Sequence, residues 1–350
     1  MTPFITWDIG TAYDLLISLH VLHQPDRFGL RPAWAAGVRN RLLPEDRKLL
    51  QTAQSLLHLP LPWLHAQPGE KSVQAFFETL AALPASQRLP ELATRADTPA
   101  LVRSVLAEIS ARGAWLPAEL ETLRPHLASP ENPFLPTDLD YWAHPAEFGE
   151  RYLAALKNYY AVFFAEEEER ITPALQSALQ RAQWLAAQMD IPGLVDVLSH
   201  GVHFPDLETL PRLALSPSYW ITPLIFFNRS ASNELLLVFG ARPEDAAISP
   251  GEPIPAALLS PLKALADPTR LRVLRLLSSD SLTLSQLASR LRLRLPTMVH
   301  HLNTLRLAGL VQVDLQADGE KRYTIRRFAV QLAFQGLENF LNKSEKASSQ

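Results

Sequence analysis

Between Pro296 and Gly309, the residues Thr297, His300, Asn303 and Thr304 recur at a spacing that places them on the outer face of a helix. Met298, Leu302 and Leu305 fall on the opposite, inward face. Hydroxyl, imidazole and carboxamide groups lined up this way offer the donors and acceptors that match base edges in a major groove. Val299 lies among them, where its methyls suit a thymine methyl, and His301 stands at the margin. Arg292, Arg294 and Arg306 flank the run, and Lys321 and Arg322 follow it. Cations so placed suit phosphate oxygens, and neutralising several phosphates supplies most of the sequence-independent affinity for nucleic acid.

The elements needed to position these residues are written around them. Asp267 precedes Pro268, a capping residue followed by a proline at the first helical position. Thr283 and Gln286 fit a reciprocal capping box, and Leu284, Leu287, Ala288 and Leu291 make an i, i+3, i+4, i+7 apolar face. Gly309 supplies a residue tolerant of the left-handed conformation at the end of the helix that Pro296 opens. Two strand-like runs, Leu310 to Leu315 and Lys321 to Ile325, enclose Asp318-Gly319, a hairpin signature. The predicted order is helix, helix-turn-helix, two-stranded wing.

This region resembles the winged helix-turn-helix domain of ArsR-type bacterial transcription regulators. The similarity is carried by Ala264 to Leu277, Leu282 to Ala288, Pro296-Thr297, His300-His301-Leu302, Ala308 to Val311 and Lys321-Arg322-Tyr323. It implies operator binding and transcriptional regulation, as a repressor, with the helix 296–308 in the major groove and the wing 311–325 beside it. It also implies a homodimer on an inverted repeat, paired through the segments flanking the domain. There Leu258 and Leu262 lie before Asp267, and Val330, Phe334, Leu337 and Leu341 follow at i, i+4, i+7 and i+11 on the terminal helix. Four positions depart from the family pattern. Arg292 replaces a turn glycine, Arg294 and Leu295 replace a Ser-Pro helix start, and Val299 replaces a small polar residue.

Charge is divided along the chain. Residues 262–350 hold 14 Lys and Arg against 7 Asp and Glu, whereas residues 1–261 hold 19 against 29, so the overall −3 hides a net of +7 beside −10. The basic part is the one that resembles a DNA reader.

The remainder reads as a large helical region. Helices are predicted at 12–23, 33–42, 44–57, 71–83, 99–112 and 118–127, then a long one from about 145 to 189 broken near Thr172-Pro173. Segments 213–216, 224–228 and 234–240 are β-rich and suggest a small antiparallel hairpin packed on helices. The fold class expected is therefore mainly α (α+β), with an N-terminal domain at 1–245, a proline-rich linker at 246–255 and the winged helix at 256–346. The run Tyr13 to His23, Trp34 and the stretch Phe164 to Arg170 are similar to an uncharacterised domain that precedes winged helices in some ArsR-type regulators, which implies a regulatory or assembly role.

Other chemistries find little support. The 350 residues contain no cysteine, so disulfides and thiolate ligands are excluded. Phosphate-loop, dinucleotide-binding, nucleophile-elbow and zinc-protease motifs are missing, and Ser260-Pro-Leu-Lys263 lacks companion motifs, so no enzyme is expected. The ArsR-type metal-sensor positions carry neither cysteine nor terminal-helix histidine. His20 with His23, and His200 with His203, offer two nitrogens each, too few for a zinc site. No cofactor or metal is predicted. The N-terminus lacks a signal core and no apolar run reaches membrane-spanning length, so a cytoplasmic protein without membrane partners is expected. All seven tryptophans precede residue 221, which leaves open a small-molecule effector held in an aromatic pocket. A winged helix used only for protein contacts is the remaining alternative.

Overall fold

The computed structural model describes residues 3–57, 59–94, 98–128, 134–230, 233–243, 256–316 and 320–346. The predicted linker at 246–255 and the Asp318-Gly319 turn lie outside them. The protein is mainly helical, with two small sheets.

The helix Thr11–His23 is the axis of the N-terminal region. It is apolar around its whole circumference, so every residue from Ala12 to Leu19 is buried, Asp14 and Ser18 included. Helices Pro32–Arg39, Pro44–Leu57, Val73–Ala82, Ala100–Arg112 and Pro117–Leu127 stand near the predicted places. Shorter ones at Leu61–Ala66, Ala85–Ala93, Pro136–Ala143 and Ile191–Ser199 were not anticipated. The long helix differs from expectation. It runs through Pro173 without a break, and its irregularity is a π turn at Tyr160–Phe164, between Pro145–Tyr159 and Ala165–Ala186. Proline removes one backbone donor, and here the Thr172 hydroxyl bonds the Glu168 carbonyl at 2.6 Å in the same turn. The π turn keeps Phe163 and Phe164 both in the core.

The β-rich segments form more than a hairpin. Strand β1 (Phe4–Trp7), unpredicted, lies at one edge, and the short strand β2 (Val202–His203) belongs to a different sheet. Strands β3 (Arg212–Ser218), β4 (Phe226–Arg229) and β5 (Glu234–Gly240) complete the first sheet, in the order β1-β3-β5-β4. The β4/β5 pair is the expected antiparallel hairpin, whereas β1, β3 and β5 run parallel. Both faces of β3 and β5 are covered. Leu213, Leu215, Leu235 and Leu237 enter one core, and Ala214, Leu236 and Val238 enter the other.

A third core belongs to the C-terminal region, where Val273, Leu277, Leu287, Met298, Leu302, Leu305 and Leu310 meet. Its helices are Ala256–Leu265, Pro268–Leu277, Leu284–Leu291, Leu295–Leu307 and Arg327–Lys346. Strands β6 (Leu282–Thr283), β7 (Val311–Leu315) and β8 (Lys321–Ile325) join β2 in a sheet ordered β2-β7-β8-β6. No helix among the described residues is long and apolar enough to cross a membrane.

Asp14 ties the central helix to the end of β3. Its Oδ1 accepts from the Ser218 hydroxyl at 2.7 Å and the Trp220 amide at 3.1 Å, while Oδ2 is buried without a partner. Burial outweighs these bonds and pushes the carboxyl up to about 7. Between roughly pH 4 and 7 the folded chain holds a proton that the unfolded chain has released, so this group makes stability fall as pH rises through that window. Asp14→Asn, which keeps the oxygen acceptor and cannot ionise, is expected to flatten that part of the decline. Urea unfolding of both proteins at pH 5 and pH 8 measures it, and equal pH slopes would contradict the assignment.

Candidate nucleic-acid interface

Local signals build the helix-turn-helix as read. The Asp267 carboxylate accepts from the Arg270 amide at 2.8 Å, and that bond is the main cause holding its carboxyl below the ordinary range. Thr283 and Gln286 cap reciprocally, the hydroxyl accepting from the Gln286 amide at 3.3 Å and the side-chain carbonyl from the Thr283 amide at 3.0 Å. Between the two helices Arg292 takes the left-handed conformation at φ 54. A side chain there costs about 1–2 kcal/mol relative to glycine. The helix Leu295–Leu307 then starts at Arg294 without a side-chain cap, as the departure from Ser-Pro implies.

Met298, Leu302 and Leu305 are buried and hold this helix from behind. On its outer side Thr297, Val299 and His300 are exposed and Asn303 is half-exposed, with Arg292 and Arg294 exposed just before them. Neither arginine makes an ion pair among the described residues. His301 turns inward, its Nδ1 buried and 4.0 Å from Asp267, and burial holds its pKa below the ordinary value. Thr304 spends its hydroxyl on the His300 carbonyl at 3.0 Å. In the wing, Lys321 is exposed, whereas Arg322 pairs with Glu320 at 3.3 Å.

Arg306 is placed differently from the other predicted contacts. It lies in a narrow crevice with His200, Gly201 and Pro223, close enough to Arg27 for the two charges to repel, and burial lowers its pKa. The next residue, Leu307, covers Gly29. The last turn of the helix therefore faces the N-terminal region, and its first two turns face solvent. A second exposed row, Ser285, Ser289 and Arg290 on the helix Leu284–Leu291, escaped the sequence reading. The first helix of such a motif crosses the DNA backbone, so its polar spacing was the available signal.

A family model described as a helix-turn-helix domain matches residues 265–314. The transcriptional repressor SdpR of Bacillus subtilis (strain 168) is 30% identical over 83 residues, which is 24% of this chain and 91% of that protein. The chain belongs to the ArsR-type helix-turn-helix family. No solved structure gives a significant match. The ArsR-type similarity is confined to the C-terminal region, and what precedes it is assigned to no family.

The histidine pairs hold no metal constellation, since no group of three His, Asp or Glu suited to a metal occurs among the described residues. His23 Nδ1 meets the Leu19 carbonyl at 2.7 Å and His20 Nδ1 meets Gln54 at 3.2 Å. His203 instead joins the two halves of this ArsR-type chain. Its Nε2 is 2.8 Å from Asp196, and its Nδ1 is 2.8 Å from Asp314 on β7. Alongside, β2 pairs in parallel with β7, and the Val313 amide donates to the Gly201 carbonyl at 3.0 Å.

Arg292→Gly separates the backbone role of this turn from its charge. The substitution is expected to raise stability by about 1 kcal/mol by relieving the left-handed strain. It should at the same time weaken DNA affinity for all sequences alike and lower the salt slope by about one unit. Chemical denaturation and salt-dependent titration of DNA read the two effects separately.

Proposed function

We propose that the protein is a sequence-specific DNA-binding transcription regulator, acting as a repressor and not as an enzyme. The observation that carries this reading is the free N-terminal half of the helix Leu295–Leu307. It is clamped from behind by three buried side chains and presents Thr297, Val299, His300 and Asn303 beside two arginines that make no ion pair among the described residues. Within this reading these four side chains approach base edges, and Arg292, Arg294 and Lys321 hold phosphates. The name of the SdpR relative supports repression as the sign of regulation. Residues 1–245 serve as the regulatory or assembly part, joined through 246–255 to the DNA-binding part 256–346.

The homodimer is part of the proposal. On the terminal helix, Gly336 lies close to the buried Leu258 of the helix Ala256–Leu265, Ala333 is buried, Val330 packs on the C-terminal core, and Leu337 and Leu262 are half-buried. Phe334 at 54%, Leu341 at 58%, Phe328 at 70% and Leu332 at 48% remain exposed on either flank. Phe334 and Leu341, which share one flank, extend the apolar stripe into a patch that a second copy would cover. Two-fold pairing there sets two recognition helices about one DNA turn, roughly 34–36 Å, apart and calls for an inverted-repeat operator.

Selection of bound DNA from a random library tests the reading and yields the operator. With that site in hand, Asn303→Ala is expected to relax specificity at one defined position at a cost of about 1–3 kcal/mol. Lys321→Ala should weaken all sequences alike and reduce the salt slope by about one unit. Identical salt slopes with unchanged base preference would remove the assignment.

Light scattering decides the assembly. Wild type is expected to be a dimer and Phe334→Glu a monomer with operator affinity lost, whereas a monomeric wild type on a single half-site would refute two-fold binding.

A further inference from the structure

A cleft of about 760 Å³ opens in the N-terminal region between the end of the helix Thr11–His23, the helix Pro44–Leu57 and the outer part of the β4/β5 hairpin. Its volume is that of a small-molecule site. One wall is apolar, made by Phe226, Leu236 and Val238 of the sheet with Leu59 and Leu61 opposite. The other is a polar stripe, Lys48, Gln51, Thr52 and Ser55, at i, i+3, i+4 and i+7 on a helix whose opposite face is core. None of the lining residues is a tryptophan. Trp34 and Trp220 stack on each other at 5.8 Å beside Phe163 in the core, so these tryptophans pack in the core and the pocket left open from them is not what lines the cleft.

The charges in this cleft are unequal. Lys48 contributes a cation with no carboxylate within ion-pair distance among the described residues, and Arg27, whose guanidinium donates to Gln24 Oε1 at 3.4 Å, also lines the cleft. The one acid among the described lining residues, Asp138, is committed to capping, because its Oδ2 accepts from the Leu135 amide at 2.7 Å, and it is nearly inaccessible. The histidines add polarity without charge at neutral pH, since burial pushes His20 down to about 4 and lowers His23. Leu59, at the rim, is held in the left-handed region at φ 56, a strained conformation for a branched side chain.

We infer that the cleft binds a small amphipathic organic anion, its carboxylate or sulfonate facing Lys48 and Arg27 and its apolar body against Phe226 and Val238. Occupancy is passed to the DNA reader along the chain that lines the cleft. His23, Gln24 and Arg27 lead through the turn Pro25–Phe28 into Gly29, at φ 73, and Leu307 of the recognition helix sits over that glycine. Arg27 also faces Arg306 across the same junction, where the two positive charges oppose each other. A ligand that engages this segment at Gln24 and Arg27 biases the equilibrium between the two regions. This coupling rests on the DNA-binding reading, whereas the site does not.

The full chain is titrated with 1-anilinonaphthalene-8-sulfonate, and octanoate, octanol and octylammonium are compared as displacers. One saturable site per chain is expected, from which octanoate displaces the dye about tenfold better than octylammonium. Lys48→Gln, an exposed substitution, should reduce that preference to about threefold or less. Thr52→Trp, which fills the cleft, should abolish dye binding at an unchanged thermal midpoint. Equal displacement by the ammonium compound, or a charge preference that survives Lys48→Gln, would overturn the site. For the coupling, octanoate is expected to change affinity for library-selected DNA by about threefold or more in wild type and not in Arg27→Gln. Saturable binding with unaltered DNA affinity would overturn the coupling alone. A chain that selects no DNA would overturn the DNA-binding reading, and the dye titration would still decide the site.

Discussion

A two-stranded wing has an edge, and an edge strand carries backbone donors and acceptors that need partners. In this chain the edge of β7 is filled from the other end of the molecule. Val202 and His203 pair with Val313 and Asp314, and the Gly201 carbonyl receives the Val313 amide. Gly201 sits at φ 89 with Arg326 and Gln312 close by, so the chain passes through a conformation and a gap that suit only glycine. Leu315, one residue beyond, packs against the N-terminal core. The wing, ordinarily the appendage of such a domain, is here part of a sheet shared between both regions. The position of the recognition helix relative to the N-terminal half follows from that pairing.

The magnitudes say how firm this junction is. The Asp196, His203 and Asp314 cluster is substantially exposed, and ion pairs of that kind contribute on the order of 0–1 kcal/mol. Two residues of strand pairing and the partial burial of Leu315 and Leu307 add contributions of similar size. Opposing them are the adjacent charges of Arg27 and Arg306. A junction built from small terms of both signs is one whose equilibrium a ligand of ordinary differential affinity can move. The first and third cores, by contrast, are closed by apolar side chains within each region, whereas the second also receives Val202 and Leu315 from the shared sheet.

What could be read in advance follows from whether the determinant is local. Asp267 with Pro268, the Thr283 and Gln286 box, and Gly309 at φ 66 are each decided within a few residues, and the winged helix came out as read. Strand β1 is four residues long and owes its existence to β3, two hundred positions away, and β2 is only two residues paired to β7. No local pattern marks either. Pro173 advertised a break, but the surrounding helix was long enough to absorb one lost hydrogen bond, and the π turn that did form left no compositional trace. Among the candidate contacts, Thr297, His300 and Asn303 were legible because helical geometry places them. Arg306 is on the same helix but meets a neighbour from residues 200–223, which only the tertiary structure supplies. The cleft was hidden for the same reason, since His20, Lys48, Asp138 and Phe226 come from four separate segments.

The distribution of committed charges bears on how DNA is held. An acidic N-terminal half of net −10, joined to a reader of net +7, would oppose a polyanion if its carboxylates faced the same side. Near the wing, Asp196 of that half is paired with His203, and the carboxylates of the reader itself are engaged as well. Asp314 gives one oxygen to His203 and the other to the Thr324 hydroxyl, and Glu320 is held by Arg322. The same pairing makes Arg322 a poorer phosphate ligand, because DNA must displace a carboxylate to reach it, and Arg290 is similarly engaged by Asp280 at 3.1 Å. Arg292 and Arg294 carry no such cost. In the proposed DNA-binding reading, phosphate binding therefore shifts from the wing toward the turn that opens the recognition helix, where this sequence has two arginines in place of a glycine and a serine. The strain of a left-handed arginine at position 292 is, in that reading, the energetic counterpart of the shift: it lowers the stability of the turn and adds a cation beside the helix end proposed to read the bases.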